Sequence, residues 1–225
     1  MKIIISLILA FLPNLILAHP YLKGTDGEAN KIIEALSRYP RGLELIDQAT
    51  KEGPITFKVN RDQSMSFGAM WQCGPRLITI EGRKNSSLGL KLRHLIFELH
   101  NAVTTKEDSV YCERAANGQI SVDQFVMEVE RIEHQNVLRT AKIINQGIKE
   151  GYLPKDTRWD IVHDFKVHYQ IQQLTGHSDA IAEEFRRIAP RHWKPYRGTI
   201  AGLKTASHNE NAQRAADLYW NYYHS

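Results

Sequence analysis

The 225-residue chain carries 29 basic and 25 acidic side chains, a mildly basic balance that selects no particular partner. Its length is enough to bury a core without covalent staples. Its two cysteines cannot make a structural zinc site by themselves, and no Cys-x-x-Cys spacing occurs.

The first element is Met1-Lys2 followed by IIISLILAFLPNLILA, one positive charge and about 16 apolar-rich residues ending at the small Ala18. This is the pattern of a secretory signal over residues 1–18, cleaved after Ala18. The run is shorter than the roughly 20 residues of a transmembrane helix, and Pro13 and Asn14 weaken it further as an anchor. An uncleaved anchor is the alternative. No later segment is apolar enough to span a bilayer. The expectation is a mature chain beginning at His19, secreted or periplasmic (extracytoplasmic), with no transmembrane anchor after cleavage.

Next, GEANKIIEALSRYP and RGLELIDQATKEG carry apolar residues at helical spacing, the second helix stopping at Gly53-Pro54. ITFKVN alternates Ile55, Phe57 and Val59 with polar residues and predicts a half-buried strand. A polar, turn-like piece RDQSMSFGAM leads to a second strand at RLITIEG. Asn85-Ser86-Ser87 offers an N-cap for a helix over 88–102 with Leu88, Leu92, Leu95, Leu99 and Ala102 on its apolar face. A polar loop with Cys112 and Asn117-Gly118 is expected after it. Ser121 then caps a long helix that ends at Gly151, with Pro154 just beyond. DTRWDIVHDFKVHYQIQQLTG, SDAIAEEFRRIAP and the aromatic tail NAQRAADLYWNYYHS read as further helices. The sum is α+β, predominantly helical with a small sheet.

If the chain is exported, Cys73 and Cys112 have only each other as disulfide partners. The bridge would close a loop of about 40 residues, worth about 4 kcal/mol in the chain-entropy model. Two free thiols are the other possibility.

The stretch most suggestive of chemistry is HLIFELHNA, residues 94–102. A zinc-protease helix reads H-E-x-x-H, two imidazoles one turn apart with a glutamate beside the first. Here Phe97 and Asn101 stand at the histidine positions and Glu98 stays in place. Phenylalanine cannot ligate a metal, and an asparagine amide is a poor substitute for imidazole. Three arrangements remain open. Glu98 acts as a general base, although without a metal nothing lowers the pKa of its water. Alternatively His94 and Glu98, four residues apart on one helix face, join Glu130 or Glu133 of the long helix around a divalent ion such as zinc. Otherwise Glu98 and Asn101 form a buried polar network with Glu130, Glu133 or Arg131, which would raise the pKa of at least one carboxylate.

The order of elements around that stretch resembles zincin-like, metallopeptidase-related domains of the secreted effector and toxin type. Gly42-Leu43-Glu44-Leu45-Ile46, then ITFKVN, then RLITIE, then LIFELHNA follow the same sequence of helix, strand, strand and motif helix over about residues 40–103. The resemblance implies a zincin-like α+β core over 19–155 and a C-terminal helical extension over 156–225 packed on it. Of the family's active-site letters only Glu98, the general base, carries over. The resemblance therefore implies a degenerate metal site, a pseudoenzyme.

Elsewhere, FRRIAPRHWKPYRG gathers Arg186, Arg187, Arg191, Lys194 and Arg197 around Trp193 and Tyr196, a candidate for an anionic ligand or surface. The plainer alternative is a connecting segment anchored by its aromatics. The other histidines show no ligand spacing, and no P-loop, G-x-S-x-G or G-x-G-x-x-G occurs. Two functions follow. One is a secreted, non-catalytic protein without a cofactor that binds a protein or an anionic surface, with no specific nucleic acid indicated. The other is a zinc-dependent hydrolase of peptidase type built on His94, Glu98, Glu130 and Glu133.

Overall fold

A computed structural model describes residues 19–62, 65, 67–83, 86–189, 196, 198 and 207–224. The expected signal segment, 1–18, lies outside the described residues. Among those described, no helix is long and apolar enough to cross a membrane. The fold is α+β and mostly helical around one small sheet.

The sheet has four strands in the order β1-β2-β4-β3. Strands β1 (Leu22–Gly24), β2 (Ile55–Asn60) and β4 (Leu77–Glu81) run parallel, and β3 (Ala69–Gln72) pairs antiparallel with β4 at the edge. Parallel strands need their faces covered. Accordingly Ile55, Phe57 and Val59 of β2 and Ile78 and Ile80 of β4 are buried under the amino-terminal helices. Helix α1 (Gly27–Ser37) starts where the Asp26 carboxylate accepts from the Ala29 N–H at 2.8 Å, and α2 (Pro40–Ala49) starts with proline in its first turn. Leu92, Leu95, Ile96 and Leu99 of α3 (Leu88–Val103) enter the same core.

A second core holds Phe125 and Val126 of α5 (Val122–Lys149) against Tyr169 of α6 (Phe165–Thr175) and Ala182 and Phe185 of α7 (His177–Ile188). The Ser121 hydroxyl and Gln124 side chain close a capping box at the start of α5. Helix α8 (His208–His224) grips the irregular stretch before α6: Tyr219 donates to the Asp160 carbonyl at 3.1 Å, and Tyr222 accepts from the His163 N–H at 3.1 Å.

Several expectations need correction. The polar loop containing Cys112 is a helix, α4 (Thr105–Ala116), because Tyr111, Cys112 and Ala115 supply just enough apolar surface to pack on α5 and α7. Part of RDQSMSFGAM is strand β3, and β1 is an additional short strand. The helix expected over 156–176 begins only at Phe165, where Asp164 caps it by accepting from the Val167 N–H at 2.9 Å; upstream the chain forms a 3₁₀ turn, Lys155–Thr157.

The Cys73–Cys112 disulfide is not formed: both thiols are free. Cys73 is exposed in the turn between β3 and β4, whereas helix α4 directs Cys112 inward against the second core, so the two side chains do not meet.

The 3₁₀ turn lies hard against the start of α3. A methyl group added at Gly89 would come within 2.5 Å of both the Asp156 carboxylate and the Thr157 nitrogen. Alanine in a helix is ordinarily favoured over glycine by about 1 kcal/mol. We expect Gly89→Ala to reverse that sign and lose about 1–3 kcal/mol through overpacking, read as a lower urea midpoint at unchanged slope.

Candidate functional site

The stripe of α3 that holds Lys91, His94, Glu98 and Asn101, continued by Thr105 at the start of α4, faces β3 and the neighbouring helices. At its start Lys91 pairs with Glu28 at 2.6 Å. At its end the Thr105 hydroxyl accepts from the Trp71 indole N–H at 2.9 Å. Between them His94 turns towards the loop before β3 instead of towards α5. Its ring lies where a side chain on Gly68 would be, 2.8 Å from an added methyl, and Gly68 has the positive φ that suits glycine. Burial, reinforced by the Arg93 charge, holds the His94 imidazole below its usual range. His94 therefore does not join Glu130 and Glu133, and the ligand set His94, Glu98, Glu130 and Glu133 is not assembled.

The two positions that would be imidazoles in a zinc protease are filled differently. Phe97 meets Trp159 edge-on, with ring centroids 5.5 Å apart. Asn101 donates to Glu98 at 3.0 Å and accepts from Asn136 of α5 at 3.0 Å. Asn136 is fully buried and also donates to the Thr104 hydroxyl at 2.8 Å, while Arg139 donates to its carbonyl at 3.0 Å. Polar groups withdrawn from water need such partners, and this chain of amides joins α3 to α5. The expected network thus includes Glu98 and Asn101, but its contact on the long helix is Asn136. Arg131 lies elsewhere, over the Phe165 ring and beside Glu128.

Glu130 and Glu133, one turn apart on α5, point instead at the first turn of α7. The Gly176 backbone, left-handed at φ 83°, ends α6 and lets α7 begin at once, which delivers His177 and Ser178 to the carboxylates. His177 Nδ1 is 3.1 Å from a Glu130 oxygen and Nε2 is 3.3 Å from a Glu133 oxygen, and the Ser178 hydroxyl donates to Glu130 at 2.6 Å. Glu130 is fully buried, and its second oxygen has no hydrogen-bond partner. The exposed Phe67 ring leans edge-on against the His177 ring at 4.9 Å.

Too many acids share one base in this pocket. Burial, reinforced by the Glu133 charge, pushes the Glu98 carboxyl up to about 8. Burial and the Glu130 charge raise Glu133 against the pull of His177. Asp108 of α4 rises to about 7 through burial and the Glu133 charge. For His177, burial works against the charged form, but Glu133, Glu130 and Glu98 outweigh it and raise the imidazole to about 9. One helical turn after Glu130, His134 gives Nε2 to the Val162 carbonyl at 2.9 Å and packs on His168 with centroids 4.6 Å apart. Burial and the charges of His134 and His177 depress His168 to about 3, a neutral ring.

His177 and Ser178 had no signal in the sequence: they follow Gly176 in a helix with no partner spacing, and only the packing of α7 on α5 reveals them. Of the basic segment, Arg186 pairs with Glu183 on the exposed face of α7, and Arg187 is exposed. Arg191, Lys194 and Arg197 lie outside the described residues. Tyr196 is buried, with its hydroxyl accepting from Gln173 at 2.8 Å, so at least this aromatic anchors the segment to the second core.

Comparisons with protein-family models, curated proteins and solved structures return no match for this chain.

Two measurements test this arrangement. The unfolded chain releases the Glu98 proton near 4.5, and the folded chain keeps it to about 8. The unfolded state therefore holds fewer protons across that window, and stability falls as pH rises through it. Glu98→Gln should flatten that fall in urea titrations between pH 5 and 8; an unchanged slope would assign the proton to another group. Asn136→Ala strands the Asn101 carbonyl and the Arg139 donor, and should cost about 1–3 kcal/mol in the same assay.

Proposed function

We propose that this chain is an exported, zincin-like scaffold that acts by binding a polypeptide and does not cleave it. The observation that supports this reading is what occupies the two ligand positions of the motif helix. The Phe97 ring is packed on Trp159, and both ends of the Asn101 amide are engaged by Glu98 and Asn136. A zinc ion at this place needs nitrogen, sulfur or carboxylate donors, so these residues do not fit the metal of an active zincin. Glu98 consequently has no activated water to work on. It also stays protonated at neutral pH, the wrong state for a general base.

The surface suited to a polypeptide is the outer edge of β3. Among the described residues that edge has no strand beside it, and Met70 and Phe67 lie exposed along it. The Trp71 backbone N–H of this strand is engaged by the Glu98 carboxyl, and an edge strand flanked by exposed apolar side chains takes up an extended segment by strand addition.

The test uses fluorescein-labelled β-casein, an unfolded polypeptide, with the mature protein and added Zn²⁺. The expected result is a rise in anisotropy without fragments, with binding weakened roughly tenfold, about 1.4 kcal/mol, by Met70→Asp. Fragments that disappear in Glu98→Gln would overturn the reading, as would binding indifferent to Met70→Asp.

A further inference from the structure

The motif helix does not offer a metal its usual donors, yet another donor set is assembled across the next helix seam. We propose that Glu130, Glu133 and His177 form a divalent-cation site that fastens α7 to α5.

Geometry supplies the first argument. One ligand atom from each of the three residues lies within 4.8 Å of the other two; because Glu130 sits at Nδ1 and Glu133 at Nε2, an ion would take one ring nitrogen and draw the other carboxylate round to it. Glu130 and Glu133 are three residues apart on α5 and so share a face. His177, the first residue of α7, is fixed by the left-handed turn at Gly176.

Charge supplies the second. Two carboxylates and a neutral imidazole balance a dication, whereas without an ion two glutamates share the seam with a single imidazole. A low-dielectric seam does not tolerate that excess cheaply.

An unused carboxylate oxygen lies in the same seam. Glu130 is 0% exposed, and one of its carboxylate oxygens has no hydrogen-bond partner. Buried acceptors in native proteins are nearly always paired, and an ion beside His177 would pair this one. The other oxygen is already oriented by the Ser178 hydroxyl at 2.6 Å, an outer contact of the sort that positions metal-ligating carboxylates.

The donors set the class of ion. Two carboxylates with one imidazole suit borderline transition ions such as Zn²⁺, Co²⁺ or Mn²⁺ better than Ca²⁺ or Mg²⁺, which favour all-oxygen shells. The site uses neither of the motif positions, Phe97 and Asn101, nor His94. The inference does not depend on the polypeptide-binding reading, and a metal-free protein would leave that reading standing.

The experiment is a titration of EDTA-stripped mature protein with Zn²⁺ by calorimetry, and with Co²⁺ by visible spectroscopy. One ion per chain is expected, with Co²⁺ bands of nitrogen and oxygen ligation and a rise in melting temperature. His177→Gln and Glu133→Gln should each weaken Zn²⁺ binding roughly tenfold or more, while His94→Gln leaves it unchanged. Folding of each variant is checked by circular dichroism. Where a variant does not fold, selective histidine labelling of the unaltered protein decides: a ring-nitrogen shift confined to one histidine, assigned as His177 through its contact with Phe67, supports the site. A folded protein that takes up no Zn²⁺ or Co²⁺ overturns the proposal. So does binding that His94→Gln abolishes or that His177→Gln leaves intact.

Discussion

A carboxylate removed from water must be compensated, and Glu130 is removed completely. Its compensation comes from two consecutive residues, His177 and Ser178, which can reach it only if a helix begins there and is pressed against α5. That requirement explains the abrupt junction at Gly176, where one left-handed residue serves as the end of α6 and the approach to α7. It also explains why the contact surface of α5 is mixed. Val126 and Phe125 carry the hydrophobic part, and Glu130 and Glu133 lie directly beyond them. The seam is apolar where burial provides the attraction and ionic where partners are available.

The α3–α5 seam is organised by different chemistry. There the groups are amides and hydroxyls in a row, Asn101, Asn136 and Thr104, and the single carboxyl among them, Glu98, is held in its neutral form. Neutral groups can be satisfied locally by donating and accepting in sequence, whereas charges need counter-charges at short range. The same helix α5 thus presents an amide row to one neighbour and an acidic pair to the other. Phe67, leaning from the loop before β3 onto His177, brings the sheet edge to the second of these seams.

Local signals in the sequence were reliable where the structure is local. Ser87 and Ser121 cap the helices that their positions suggested, and the alternation in ITFKVN matches the inward face of β2. Glu130, offered by the sequence as a partner for the motif helix, is buried, but against α7. Long-range effects were not legible. Helix α4 has a single fully buried residue, Ala115, so its periodicity was too faint to distinguish it from a loop. Strand β3 gains its identity from pairing with β4, which its own four residues, preceded by Gly68, do not announce. His94 looked like a ligand because it shares a helix face with Glu98, but the space left by Gly68 draws its ring the other way. His177 looked isolated because its partners are 44 and 47 residues away in the chain. A ligand set split between two elements leaves no spacing to find.

Helix α5 runs for 28 residues and touches every buried cluster in turn. Phe125 and Val126 belong to the carboxy-terminal core, Val137 and Ala141 to a small middle one beside Ile161, and Ile144 to the core beneath the sheet. The two halves of the chain consequently have no plane along which to separate: any opening that frees one core must break the rod that also fills the other. Melting should therefore be a single cooperative transition despite the two cores, and the amino-terminal half of the chain, cut before α5, would be left with its sheet-side core open.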